Sequence, residues 1–107
     1  MVQLNKVEIR GIIGSVYVKD FGNTKVANIS VATNNAYKSQ DGSLVIETTW
    51  HSVFAWDGEQ IQNLDQLKKG LLVHICGRLR NRKYLASDGS ERTVCDILAE
   101  SLRVVKN

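Results

Sequence analysis

The chain of 107 residues contains no proline. Glycine alone supplies the backbone punctuation, and collagen-like or disordered compositions are excluded. Cysteine is almost as scarce. Two residues cannot build a disulfide framework, and they suit a reducing compartment. No apolar run approaches the roughly 20 residues that a membrane helix needs. Met1-Val2-Gln3-Leu4-Asn5-Lys6 lacks an apolar h-region, so no secretory signal is expected. Internal repeats, linkers and low-complexity stretches are absent. Hydrophobic residues at 43% and charged residues at 23% are ordinary for a globular protein. Residues 1–107 are expected to form one domain, burying roughly 65% of the unfolded surface around a single core.

Valine, isoleucine, threonine and aromatics fill long segments between turn signals, which predicts an all-β chain. Strand one is read from Leu4 to Val18, with Gly11 and Gly14 marking bends or bulges. Phe21-Gly22-Asn23 turns the chain. Strand two runs from about Thr24 to Tyr37, and strand three from Leu44 to Trp56. One helix is expected next. Asp57 and Gln60 have capping-box spacing, Ile61, Leu64 and Leu67 form an apolar stripe, and Gly70 fits the position after the last turn. Lys68 and Lys69 would complement the helix dipole. Strand four spans Leu71 to about Leu85, and strand five about Arg92 to Val105, joined at Ser87-Asp88-Gly89-Ser90. Five long, bent strands with a helix between the third and fourth match the five-stranded Greek-key barrel known as the OB-fold, whose faces and loops commonly bind oligonucleotides.

The net charge of +3 and pI near 9.0 favour an acidic partner only weakly, but the distribution says more. Arg78, Arg80, Arg82 and Lys83 lie within one short window without an acid, and the rest of the chain is slightly acidic. Such a ribbon is either a solvated strand face or a track for phosphates. Strand parity separates two faces. Leu71, Val73, Ile75 and Leu79 should point into the barrel, and Cys95 should share the inner face of strand five with Ile97 and Ala99. Cys76, Arg78, Arg80, Arg82 and Tyr84 should point outward, with about 6–7 Å between alternate residues, close to the phosphate spacing of an extended single strand. In strand three His51, Val53 and Ala55 read as interior, and Trp50, Ser52, Phe54 and Trp56 as the opposite face. Exposed tryptophans either pack under a loop or subunit, or form a stacking platform worth about 1–3 kcal/mol per base.

Catalytic chemistry is not indicated. His51 and His74 have no metal-ligand spacing, Gly11-Ile12-Ile13-Gly14 is not a phosphate-binding loop, and Asp41, Glu47, Asp57 and Glu59 sit at turns and strand ends. Neither an enzymatic role nor a metal or other cofactor is expected.

Asn5-Lys6-Val7, Gly11-Ile12-Ile13-Gly14, Ala27-Asn28-Ile29-Ser30-Val31-Ala32-Thr33, Glu47-Thr48-Thr49-Trp50-His51, Lys69-Gly70, Gly77-Arg78-Leu79-Arg80 and Asp88-Gly89 occur in the order found in bacterial single-stranded DNA-binding proteins. The chain resembles that family from Asn5 to about Val104. The resemblance implies an OB-fold homotetramer in the bacterial cytoplasm, associated with the nucleoid, that binds single-stranded DNA without regard to sequence in replication, recombination and repair. Its stacking aromatics fall on Tyr37, Trp50, Trp56 and Tyr84, two of them tyrosine where well-known members carry tryptophan. Its basic residues fall on or beside Lys6, Lys38, Arg80, Arg82 and Lys83. His51 takes the place of a histidine at a subunit contact. Family members usually carry a long tail with an acidic tip, whereas this chain stops at Val105-Lys106-Asn107; tail-mediated partners are therefore not expected of it. The same surface would also suit a single-stranded RNA-binding module, a dimeric primosome-type protein or a protein-binding OB scaffold.

Overall fold

A computed structural model describes residues 2–106. Five strands dominate: β1 (Val7–Asp20), β2 (Lys25–Lys38), β3 (Leu44–Trp56), β4 (Leu72–Leu85) and β5 (Glu91–Val104). They close into a barrel in the order β1-β2-β3-β5-β4, with β4 returning to β1. All neighbours are antiparallel except β3 and β5, which meet in parallel at Val53–Ile97 and Phe54–Leu98. This is the expected OB-fold. The strand limits lie within three residues of the sequence reading, and those of β3 coincide with it.

β1 serves two partners. Val7 to Ile12 pair with β4, and Ile12 to Asp20 pair with β2. The register slips between Ile13 and Ser15, around Gly14, as a sharply coiled strand requires. A side-chain carbon at Gly11 would lie 2.3 Å from the Ala32 carbonyl oxygen, so only glycine lets β1 cross β2 this closely. The interior is filled by Ile13, Ile29, Val31, Val53, Val73, Ile75, Ile97 and Leu102, alternate residues of their strands.

The helix between β3 and β4 shrinks to one 3-10 turn at Leu64–Gln66. The candidate cap and the first expected turn are engaged elsewhere. The Asp57 carboxylate accepts from the Lys25 backbone N–H at 3.0 Å instead of capping. Gln60 and Gln62 bond through their backbones to Leu102 at 2.9 and 2.7 Å, tying Ile61 alongside β5. Asn63 then caps the short turn by accepting from Asp65 N–H at 3.0 Å, a local bond that competes with helix propagation. The apolar stripe nevertheless holds. Leu64 and Leu67 are buried and close one end of the barrel, with Ile61 packed beside them.

Two long hairpins project from the barrel, and both end in Asp-Gly-Ser. Gly42 (φ 88°) and Gly89 (φ 86°) make the tight reversals. Asp41 accepts from Ser43 N–H at 3.0 Å and Asp88 from Ser90 N–H at 2.9 Å. Hydrogen bonds from the Ser39 and Ser43 hydroxyls hold the Asp41 carboxyl down to about 2.

Candidate single-strand interface

The outer face of β3 carries Trp50, Ser52, Phe54 and Trp56, as strand parity predicts, because Val53 and Ala55 between them are fully buried. Trp50 is 61% exposed. Its indole lies where Gly14 lacks a side chain: a carbon there would sit 2.4 Å from the ring. One side of the ring is thus supported by bare backbone, and much of the rest meets solvent. Trp56 is 43% exposed and stacks on Phe21, with centroids 5.9 Å apart and planes at 17°. Lys19 Nζ stands 5.2 Å from the Phe21 centroid. The β1–β2 turn therefore contributes an aromatic–cation pair that sequence reasoning treated only as a reversal.

β4 delivers Arg80, Arg82 and Tyr84 to the same outer face. The guanidinium carbons of Arg80 and Arg82 lie 5.6 and 5.0 Å from the centre of the Phe54 ring. Asp96, only 2% exposed, accepts from Arg82 Nε at 2.7 Å. Its ladder partner is Arg80. A buried carboxylate thus anchors one guanidinium over Phe54 while Arg80 lies beside it. Arg80 Nε is buried and has no hydrogen-bond partner among the described residues. Sequence reasoning missed Asp96 and the role of Phe54. An aspartate inside a strand whose next residues are Ile97 and Leu98 is the signal that could have found the anchor, since aspartate is depleted in strands.

The other expected residues fall in two groups. Lys6 directly precedes β1 with the parity of Glu8. The Asn5 side chain fixes this end by bonding Leu79 twice, at 2.8 and 2.9 Å. Lys38 ends β2 with the parity of Ala32, the ladder partner of Trp50. Tyr37 and Lys83 do not join the Trp50–Arg80 face. The β2–β3 ladder runs unbroken, and Tyr37 lies an odd number of residues from Ala32, which puts it on the opposite side of the hairpin. Lys83 alternates with Arg82 and pairs with Glu91 at 3.4 Å. Tyr84 remains with the arginines and is 41% exposed. His51 points inward near the base of the β2–β3 hairpin and shares a hydrogen bond of 2.9 Å with Thr33 Oγ1.

Two interior assignments need correction. Leu79 is half-exposed and Cys95 exposed, although both have inward parity. They belong to the part of the β4–β5 hairpin that extends past the barrel, where the inner face has nothing to cover it. β5 also contains one extra residue: its register steps from Cys76–Ser101 to Gly77–Ala99, leaving Glu100 unmatched. Both cysteines are free thiols.

The fold and this face together define an OB barrel whose outer surface combines exposed indoles with aromatic-stacked guanidinium groups. The Single-strand binding protein family model matches residues 4–105, and the chain belongs to that family. A single-stranded DNA-binding protein of Neisseria meningitidis serogroup A is 36% identical over 106 residues, covering 97% of this chain and 61% of the relative. Single-stranded DNA-binding protein 1 of Xylella fastidiosa is 30% identical, covering 98% of this chain and 79% of the relative. The chain thus spans about three-fifths of the Neisseria relative's length. Among solved structures, the Plasmodium falciparum SSB in complex with single-stranded DNA superposes with a TM-score of 0.81 at 27% identity, covering 99% of this chain and 98% of that one. A Thermus aquaticus single-stranded DNA binding protein has the same fold, with a TM-score of 0.75 at 21% identity, covering 96% of this chain and 51% of that one. No helix among the described residues is long and apolar enough to cross a membrane.

Proposed function

We propose that this chain, as one OB module over residues 1–107, binds single-stranded DNA without sequence preference. It would protect the strand in replication, recombination and repair, acting as a binding protein and not as an enzyme. The observation that carries this reading is the pair of guanidinium groups stacked on Phe54 between the exposed rings of β3 and β4. Trp50, Trp56 and Tyr84 stack bases, and base faces are alike enough that stacking reads no sequence. Arg80, Arg82, Lys6 and Lys38 contact phosphates and release counterions. Tyr37 and Lys83 take part where the strand passes around the hairpins. Duplex DNA binds poorly because its bases are already stacked on each other.

Assembly as a homotetramer, with His51 near a subunit contact, belongs to the same proposal; a dimeric solution mass would favour the primosome-type reading. Family tails that recruit other enzymes play no part in this proposal. The setting is the bacterial cytoplasm at the nucleoid.

The test is a salt titration with labelled oligo(dT). The log–log slope should steepen by about −0.7 for each phosphate contact. Arg80→Ala is expected to flatten it by about one such contact and to weaken all sequences alike. A sequence-selective loss would argue for base readout. No binding and no salt dependence would favour a protein-binding scaffold, and equal competition by poly(U) would remove the preference for DNA.

A further inference from the structure

The outer face of the β1–β4–β5 sheet holds a second cluster of chemistry-bearing side chains, near Arg78 but separate from the aromatic surface. Glu8 lies directly across the ladder from Cys76, and His74 is the next outward residue of β4. The Glu8 carboxylate accepts from His74 Nε2 at 2.7 Å and lies 3.6 Å from Cys76 Sγ. The three ligand atoms lie within 4.8 Å of one another. They face a cavity of about 550 Å³ whose wall also carries Glu59 and Ser101.

From this geometry we infer that Glu8, His74 and Cys76 form a binding site for a borderline-soft divalent cation of the zinc or cobalt type, with its fourth position open to the cavity.

One nitrogen, one sulfur and one carboxylate oxygen is a donor set that zinc accepts and magnesium or calcium does not favour. Bond lengths of about 2.0–2.3 Å in a tetrahedron place ligand atoms about 3.4–3.6 Å apart. The Glu8–Cys76 distance already meets this. The Glu8–His74 distance must open by about 0.7 Å, which the half-exposed Glu8 side chain allows by rotating. The backbone is set by adjacent, paired strands, so the ligands need no loop to order. On binding, the Cys76 thiol proton passes to solvent. The imidazole proton moves from Nε2, which must coordinate, to Nδ1. Nδ1 gives up its long 3.3 Å hydrogen bond from Arg10. The carboxylate and thiolate balance the ion's charge, while Arg10 and Arg103, which flank His74 in the ladders, oppose it. The site is therefore exchangeable. No spacing along the chain announces it, because 66 residues separate Glu8 from His74.

The experiment adds Co²⁺ to the reduced full chain. A thiolate-to-cobalt charge-transfer band should grow to one ion per chain, with a rise in the thermal midpoint. Cys76→Ser should abolish the band. Glu8→Gln, at an exposed side chain, should weaken affinity about tenfold or more and keeps the test open if Cys76→Ser fails to fold. Cys95→Ser should change neither reading. A wild-type chain without the band in excess Co²⁺ would overturn the site. So would a band that survives Cys76→Ser and is lost in Cys95→Ser. Single-stranded DNA binding rests on other residues, so its own failure would be distinguishable.

Discussion

Trp50→Ala is expected to weaken oligo(dT) binding by about 1–3 kcal/mol, roughly 5- to 150-fold, while costing the fold less than about 1 kcal/mol. The asymmetry follows from where the ring sits. Most of the indole is outside the core, and its inner side rests on the bare backbone of Gly14. Truncation removes the stacking surface and opens no cavity among Val31, Val53 and Ile29. Parallel titrations and thermal melts of the two proteins check this. A variant that melts far below the wild type would mean that Trp50 is a packing residue.

Gly77→Ala should act in the opposite sense, on the fold first. A side-chain carbon at Gly77 would lie 2.1 Å from the Leu98 carbonyl oxygen and 2.9 Å from its carbon. Both are backbone atoms of β5 beside the extra residue Glu100, so no rotamer change relieves the clash. Overpacking of this kind costs about 3 kcal/mol. In a domain of this size the thermal midpoint should fall on the order of 10–20 °C. DNA binding should fall with it only as the folded fraction is lost. An unchanged midpoint would contradict the close approach of β4 and β5.

Much of this architecture was legible in residue order. Alternation in strand three placed Val53 and Ala55 inside and both tryptophans outside, because a half-buried strand imposes its period on the sequence. The helix was not legible correctly. Its apolar stripe at Ile61, Leu64 and Leu67 marks burial, but the same spacing serves a single turn plus an extended segment. What decided between them is tertiary: Leu102 takes up the backbone of Gln60 and Gln62. Leu79 and Cys95 misled for a related reason. Parity tells which face a residue has, not whether the barrel still lies beneath that face. The Arg82–Asp96 anchor joins residues on neighbouring strands whose pairing register depends on an extra residue, Glu100, that no local pattern reveals. The resemblance to the family names Tyr37, Trp50, Trp56 and Tyr84 without saying which ribbon faces they share, and the unbroken β2–β3 ladder separates Tyr37 from Trp50.

The two indoles are the only ones in the chain, so emission excited at the red edge, where indole absorbs and tyrosine does not, reports on Trp50 and Trp56 alone. Oligo(dT) titrated into the full chain at low salt should quench that emission in step with binding measured independently on the labelled strand. Emission that stays constant while the labelled strand saturates would show that the polynucleotide does not lie on Trp50 and Trp56.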